Sequence, residues 1–253
     1  MLEVISRTVT LNAPIEIRSG VELPVSRESL NLKTADGLSL VGELAMPVGR
    51  PPVATLITLH PLPTHGGFMD SHILRKASNR LPELADLAVL RFNTRGTESP
   101  HGKSDGSFGD GVTEQHDVDA AIEFAKSRKL PNLWLVGWSF GTELALKYGS
   151  DKDIVGAILL SPPLHRATEL DLDRWVGNQR ALIALVPEFD DYLQPAEATD
   201  RFSKITHAEI IGVDGAKHLW VGESATKRVL DEIVRQVNPA AYPLPDTWTP
   251  RTS

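Results

Sequence analysis

The sequence predicts an α/β protein with a doubly wound, mostly parallel sheet of eight strands, an N-terminal antiparallel hairpin and no large lid domain. Three observations lead to this prediction. Six short apolar runs recur along the chain, segments with a helical period lie between them, and two alternating stretches flank an Asp-Gly turn. Near-continuous apolar runs are typical of strands buried on both faces of a parallel sheet. Their alternation with helices is typical of doubly wound folds.

The first two strands are predicted to form the hairpin. Residues 27–34 and 38–45 alternate between polar and apolar side chains around Ala35-Asp36-Gly37, and an Asp-Gly pair favours a tight turn between antiparallel strands. The six apolar runs predict the remaining strands, at residues 54–59, 88–92, 133–136, 154–160, 181–186 and 208–213.

Amphipathic helices are predicted between these strands and after the last of them. In two segments, apolar residues three or four positions apart share one helix face. These residues are Val118, Ala121, Ile122 and Ala125 in the first, and Val229, Leu230, Ile233, Val234 and Val237 in the second. Residues 142–148 also have a helical pattern. Only one short helical segment, 168–175, precedes the run at 181–186, which is too short for a lid domain.

The length of 253 residues and the apolar content suit one main domain. We predict an N-terminal extension at residues 1–26, a main domain at 27–238 and a Pro-rich C-terminal tail at 239–253. The tail contains Pro243, Pro245 and Pro250, and proline disfavours regular secondary structure.

Composition excludes several classes of function. Asp and Glu outnumber Lys and Arg by 33 to 26, and no long basic block is present, so we expect neither nucleic acid nor a membrane surface as a partner. The chain contains no cysteine, which excludes thiolate catalysis, disulfides and thiolate metal sites. No signal peptide or transmembrane run is apparent, which predicts a cytoplasmic protein.

The segment Gly137-Trp138-Ser139-Phe140-Gly141 lies between an apolar run and a helical pattern. A serine flanked by glycines two positions away, at a strand-to-helix junction, is typical of a nucleophile elbow. The small glycines allow a tight, strained turn that exposes the serine hydroxyl at the helix N-terminus. We therefore predict Ser139 as the nucleophile and the Phe140 N–H as one donor of an oxyanion hole.

A nucleophilic serine needs a base, and the base needs an acid that orients it. His218 is the histidine that follows the last predicted strand, so it is the predicted base. The acid is expected after the run at 181–186, where Asp190 is favoured and Asp191 is the alternative. The order Ser139, Asp190, His218 is the order of nucleophile, acid and base in one class of serine triads.

The second oxyanion donor is expected in the loop His60-Pro61-Leu62-Pro63. Neither proline has an amide hydrogen, so Leu62 is the predicted donor. Trp138, Leu164 and Trp220 are candidates for lining the substrate pocket, with ordinary packing as the alternative and as the favoured one for Trp220. His60 is a further pocket candidate, and the alternative is that it braces its loop by a hydrogen bond to the backbone.

A metal site made of His60, His65, His72 and Asp70 is a further alternative. Nothing in the triad chemistry requires a metal ion. We therefore expect neither a metal nor a cofactor.

The GWSFG segment, the HPLP loop, the stretch RFNTRGTES at 91–99 and the late Asp and His together resemble the α/β hydrolase superfamily. This resemblance extends to small, lid-less bacterial serine hydrolases of dienelactone hydrolase-like and prolyl-oligopeptidase-like appearance. It covers about residues 27–238 and implies the α/β hydrolase fold, with Asn93 and Arg95 organising the end of the fourth strand. Dienelactone hydrolases proper use a cysteine nucleophile, so their substrate is not implied here.

These observations predict a serine hydrolase that cleaves a small carboxyl ester, thioester or related acyl substrate through an acyl-enzyme on Ser139. An acyltransferase or a peptidase with the same triad is one alternative, and a non-catalytic ligand-binding protein of the same fold is another. The expected partner is a small-molecule acyl substrate, and the chain is expected to be a monomer or a homodimer.

Overall fold

The computed structural model describes residues 13–150 and 153–250. The predictions for residues 1–12 of the extension and 251–253 of the tail lie outside the described residues. The main sheet has eight strands. They are β1 (Ser26–Lys33), β2 (Ser39–Met46), β3 (Ala54–Leu59), β4 (Leu87–Phe92), β5 (Leu133–Trp138), β6 (Gly156–Leu160), β7 (Ala181–Phe189) and β8 (Ala208–Lys217).

The strand order in the sheet is β8-β7-β6-β5-β3-β4-β2-β1. Strand β2 pairs antiparallel with both β1 and β4, whereas all the other neighbours are parallel. The Thr34 N–H donates to the Leu38 carbonyl at 3.0 Å, and Gly37 adopts a φ of 90° in the turn between β1 and β2. The predicted mostly parallel eight-stranded sheet with an N-terminal hairpin is confirmed.

In the described part of the chain, six α-helices cover the two faces of this sheet. They are α1 (His72–Ala85), α2 (Gln115–Ser127), α3 (Phe140–Tyr148), α4 (Glu169–Asp173), α5 (Pro195–Phe202) and α6 (Glu223–Val237). Buried apolar residues form two cores, one beneath α2, α3, α4 and α5 and the other beneath α1 and α6. Between β6 and β7 the only helix is α4, with five residues, so this connection forms no large lid domain.

Helix α1 has no counterpart in the sequence prediction. It contains Pro82 in its interior and buries Lys76, Asn79, Arg80 and Glu83. Proline is unfavourable inside a helix, and buried polar residues obscure the apolar stripe on which helix prediction depends. Ion pairs compensate for part of this burial: the Lys76 ammonium lies 2.9 Å from a carboxylate oxygen of Glu223 on α6, and Arg80 pairs with the same carboxylate.

Strands β7 and β8 extend beyond the predicted ends, and their pairing is irregular. Pro187 pairs with Val213, but Phe189 pairs with Lys217, so β8 advances four residues while β7 advances two. Gly215 lies in this bulge with a φ of 69°, and its N–H donates to the Glu188 carboxylate at 2.7 Å. The bulge sets the residues that follow the two strands side by side.

The two ends of the described chain lie together. Ile15–Glu16 pairs antiparallel with Thr247–Trp248, and Lys227 of α6 donates to the Leu244 carbonyl at 2.9 Å. The remaining short elements are the 3₁₀ turns Pro63–His65 and Pro239–Ala241 and the strand pair Glu98–Ser99 with Gly102–Lys103. The division into extension, main domain and tail stays a prediction. None of the helices in the described part of the chain has the length and apolarity needed to cross a membrane.

Candidate active site

Ser139 lies in the sharp turn between β5 and α3. Its φ of 52° and ψ of −117° fall in a region that costs a residue with a side chain roughly 1–3 kcal/mol. Three hydrogen bonds fix the turn. The Ser139 N–H donates to the Leu160 carbonyl at 2.9 Å, and the Ser139 carbonyl accepts from the N–H and the hydroxyl of Thr142 at 2.8 and 2.6 Å. The hydroxyl of Ser139 is thereby held at the N-terminus of α3.

The two glycines of the elbow are required by close backbone contacts. A Cβ atom on Gly141 would lie 2.0 Å from the carbonyl oxygen of Leu59 at the end of β3, and one on Gly137 would lie 2.4 Å from the carbonyl oxygen of Gly141. Neither neighbour is a flexible side chain. The tight passage of α3 past the sheet therefore depends on glycine at both positions.

Replacing Gly141 with alanine is expected to destabilise the protein by about 3 kcal/mol or more, because the backbone of a central strand cannot retreat from the new methyl group. Gly49→Ala is the matched control. Gly49 has a positive φ, of 69°, which Gly141 does not have, and a Cβ atom there would have no neighbour within 4 Å, so the loss should come from the backbone conformation alone and reach only about 1–2 kcal/mol. Urea unfolding measures both losses, and similar values would contradict the steric account.

Ser139, His218 and Asp190 form a continuous chain of hydrogen bonds. Ser139 Oγ lies 2.9 Å from His218 Nε2, and His218 Nδ1 lies 2.9 Å from Asp190 Oδ2 and 3.1 Å from Oδ1. Asp190 and His218 are buried, whereas Ser139 is partly exposed. The alternative acid, Asp191, is exposed. Its neighbour Asp190 is the carboxylate that is hydrogen-bonded to Nδ1 of the imidazole.

The carboxylate of Asp190 is held in its charged form. Burial raises its pKa, but hydrogen bonds from His218 and from the N–H groups of Tyr192 and Leu193 outweigh burial and lower the pKa below its usual value. A charged carboxylate at Nδ1 favours the tautomer with the proton on that nitrogen. The lone pair on Nε2 is then free to accept the proton of the Ser139 hydroxyl.

Two buried side chains hold the main chain of His218. Its carbonyl accepts hydrogen bonds from Trp138 Nε1 and from Ser161 Oγ, each at 3.2 Å. The ring of Tyr192 packs edge-on against the imidazole, with ring centres 4.7 Å apart. These contacts fix the orientation of the imidazole relative to Ser139.

The two backbone N–H groups that were predicted as oxyanion donors, of Phe140 and Leu62, make no backbone hydrogen bond with the described residues. Phe140 is the first residue of α3, and the first N–H groups of a helix have no partner within the helix. The N–H of Leu62 makes no hydrogen bond with residues 13–150 or 153–250, while its carbonyl accepts from His65 and Gly67 at 3.0 Å each. Phe140 and Leu62 line the same cleft as Ser139.

This cleft has a volume of about 310 Å³. Its wall includes Ser139, Leu62, Phe140, Tyr192, His218 and Leu219. Two other cavities, of about 410 and 450 Å³, share none of these residues. The cleft is at the lower end of the size range of small-molecule sites, so it suits a short substrate.

The prediction that Trp138, Trp220 and Leu164 line the pocket is wrong, because none of the three lines the cleft. Trp138 is 3% exposed, and both tryptophans pack in the core beneath α1 and α6. Leu164 is buried in the opposite core. Side chains at this edge of the sheet can point either toward the cleft or into the core. The apolar character of these three residues favoured the core.

His60 was also predicted to line the pocket, and the structure contradicts this. The ring is fully buried: Nε2 accepts from the Thr94 N–H at 3.0 Å, and Nδ1 donates to the Pro61 carbonyl at 2.7 Å. Burial lowers the pKa of His60 to about 4. A neutral His60 therefore braces the loop that carries Leu62.

Two residues of the alternative metal site have protein partners in the structure. His72 donates from Nε2 to the Trp220 carbonyl at 3.2 Å, and Asp70 pairs with Arg91. Among the residues that the structure describes, no group of three His, Asp or Glu side chains could hold a metal ion.

Hydrogen bonds and ion pairs hold the segment after β4 in place. The Arg95 N–H donates to Asp117 Oδ2 at 2.8 Å, and its guanidinium pairs with Asp117 and Asp36. Asn93 Oδ1 accepts from the Met69 N–H at 2.9 Å. These contacts connect the end of β4 to α2 and to the loop that precedes α1.

Sequence reasoning gave Tyr192 and Arg166 no role, although both line the cleft. Tyr192 is an aromatic residue two positions after the predicted acid, Asp190, and Arg166 lies in the loop after β6. Ligands of open α/β sheets bind beyond the carboxyl ends of the strands. The large Tyr192 and the charged Arg166 in these loops could therefore have been predicted from the sequence to line the cleft.

The model of the Alpha/beta hydrolase family matches residues 62–249. The chain belongs to this family. Family membership and the arrangement of Ser139, His218 and Asp190 together support a hydrolase activity. No curated protein sequence matches the chain significantly.

Solved structures of α/β hydrolases share the fold. An alpha-beta serine hydrolase homologue from Coxiella burnetii aligns with a TM-score of 0.71 at 24% identity, covering 83% of this chain and 97% of its own. A serine hydrolase without a lid from Xanthomonas campestris aligns with a TM-score of 0.69 at 24% identity, covering 92% and 99%. An esterase from Pyrococcus furiosus aligns with a TM-score of 0.67 at 19% identity, covering 84% and 93%.

Proposed function

We propose that this α/β hydrolase cleaves a small carboxyl ester, thioester or related acyl substrate through an acyl-enzyme on Ser139. The observation that carries the proposal is the hydrogen-bond chain from Ser139 Oγ through His218 to Asp190, which lies at a cleft with two available N–H donors. A strained serine that is aligned with a base and a buried carboxylate is the arrangement that acyl transfer requires.

In the first half of the reaction, Ser139 Oγ attacks the carbonyl carbon of the substrate as His218 Nε2 takes the hydroxyl proton. Asp190 stabilises the imidazolium that forms. The carbonyl oxygen becomes an oxyanion that accepts hydrogen bonds from the N–H groups of Phe140 and Leu62. The tetrahedral intermediate collapses as His218 gives its proton to the leaving alcohol or thiol, and the acyl group stays on Ser139.

In the second half, a water molecule attacks the acyl-enzyme. His218 Nε2 takes a proton from this water, and a second oxyanion forms at the same two N–H groups. The intermediate collapses when the proton returns to Ser139 Oγ. The carboxylic acid leaves, and the enzyme regains its starting protonation state.

Several features favour a small ester as the substrate. The cleft has a volume of only about 310 Å³ and the chain between β6 and β7 forms no lid domain, so a long acyl chain would extend into solvent. The similar structures include a serine hydrolase without a lid and an esterase. A water-soluble acyl ester or thioester suits these dimensions.

A covalent inhibitor tests the proposal directly. Purified protein is treated with a fluorophosphonate while hydrolysis of p-nitrophenyl acetate is followed. We expect one adduct per chain, located by peptide mass spectrometry on Ser139, with activity lost in proportion to labelling. An adduct on another residue, or ester turnover that survives full labelling of Ser139, would contradict the proposed mechanism. Absence of both labelling and turnover would favour a non-catalytic ligand-binding protein.

A further inference from the structure

We propose that Arg166 binds a carboxylate on the acyl part of the substrate, so that the preferred substrate is a monoester or monothioester of a short dicarboxylic acid. This inference rests on the proposed hydrolase function. Arg166 lies in the loop between β6 and α4 and lines the same cleft as Ser139 and His218. No other Arg or Lys among residues 13–150 and 153–250 lines that cleft.

The guanidinium of Arg166 is held in one position. Its central carbon lies 5.6 Å from the centre of the Phe140 ring, and Nε donates to Asp110 Oδ1 at 2.7 Å. The Arg166 main-chain N–H donates to the Glu143 carboxylate, and the side-chain stem passes close to Gly111, where an added Cβ would lie 3.4 Å from Arg166 Cδ. A guanidinium that is already oriented loses little conformational entropy when it binds a ligand.

The outer edge of this guanidinium has free hydrogen-bonding capacity. Nη1 and Nη2 make no hydrogen bond with the described residues, and Nη1 forms a loose ion pair with Glu143 Oε2 at 3.6 Å. The two terminal nitrogens present parallel N–H groups, which match the two oxygens of a carboxylate. The side chain is 25% exposed, so a ligand in the cleft can reach this edge.

The charges around Arg166 favour an anion over a cation as its ligand. The Glu143 side chain is completely buried, so a positively charged ligand cannot reach it without displacing Arg166. The Asp110 side chain is 71% exposed, and solvent screens its charge. Asp110 does not line the cleft, so the guanidinium is the charge on this wall that a ligand in the cleft can reach.

The reaction geometry assigns the carboxylate to the acyl part. His218 protonates the leaving group, so the leaving group lies beside the imidazole, whose neighbours in the cleft include Tyr192. Arg166 instead contacts Phe140 and pairs with Glu143, both on α3. The acyl part extends away from the leaving group, toward this wall.

Two matched esters test the inference: mono-p-nitrophenyl glutarate, and the same compound with its free carboxylate methylated. We expect the wild-type protein to hydrolyse the charged ester with a kcat/KM at least tenfold higher. In Arg166→Gln the ratio of the two kcat/KM values should fall ten- to a hundredfold, mainly through KM, because a charge-assisted hydrogen-bonded pair is lost. The ratio is internal to each variant, so partial misfolding affects both esters alike.

Arg128→Gln is the matched control, because Arg128 is exposed, pairs with Glu28 and does not line the cleft. Its ratio should equal that of the wild type. A wild-type ratio of one or less, or a ratio that Arg166→Gln leaves unchanged, would overturn the inference.

A binding measurement separates this inference from the proposed function. Calorimetry compares glutarate with its neutral analogue glutaramide, and it needs no turnover. We expect glutarate to bind at least tenfold more tightly to the wild type and the difference to disappear in Arg166→Gln. If no ester is hydrolysed but this difference is found, the hydrolase proposal fails and the carboxylate site stands. Equal binding of the two compounds to the wild type would overturn the carboxylate site.

Discussion

Ser139→Ala is expected to lower kcat for p-nitrophenyl acetate by about 10⁵- to 10⁶-fold. Without Oγ no acyl-enzyme can form, and His218 and Asp190 have no nucleophile to activate, so the triad fails as a unit. The residual rate would come from binding and from the N–H groups of Phe140 and Leu62 acting on direct attack by water.

Ser127→Ala is a suitable control for this loss. The Ser127 hydroxyl donates to the Phe124 carbonyl at the end of α2, and its removal should leave kcat within twofold of the wild-type value. Steady-state assays with both variants provide the comparison. A Ser139→Ala protein that keeps more than about 1% of the wild-type kcat would place the nucleophile elsewhere.

Asp190→Asn is expected to lower kcat by about 10⁴-fold. The amide can present its NH₂ group to Nδ1 of His218, which favours the tautomer with the proton on Nε2, and the base can then no longer accept the Ser139 proton. The variant also removes the negative charge that stabilises the imidazolium. Because the pKa of Asp190 is lowered, this charge is present in the wild type throughout the neutral pH range.

Asp191→Asn provides a control of the same chemistry one residue away. Asp191 is exposed, and its substitution should change kcat less than threefold. The two variants are compared in parallel with the same ester, and thermal melting checks that both are folded. A large loss in Asp191→Asn together with a small loss in Asp190→Asn would reverse the assignment of the acid.

The strands were predicted more accurately than the helices. A strand that is buried on both faces of a sheet can be recognised in the sequence as a run of apolar residues. The run at 54–59 matches β3 to the residue. Helix α1 was missed because its buried face contains polar residues whose partners lie on α6. A local pattern cannot include a partner about 150 residues away.

Side-chain direction was the weakest part of the prediction. Trp138 and Trp220 are large residues at the edge of the sheet where the pocket was expected, but both are buried. Tyr192, which follows the buried acid, reaches the cleft instead. Whether a side chain turns inward depends on the local backbone and on the packing of neighbouring elements, neither of which a residue type reveals.

The sequence by itself determined the sheet, the elbow at Ser139 and the order of the three triad candidates, because tight turns and buried strands restrict which residues can occupy them. Only the tertiary structure decided which carboxylate meets His218. Regular pairing continued from Pro187 and Val213 would set Asp190 opposite Ala216. The bulge in β8 instead pairs Phe189 with Lys217, so that Asp190 and His218 directly follow a paired position. That register depends on a contact between two strands, and neither strand's own sequence specifies it.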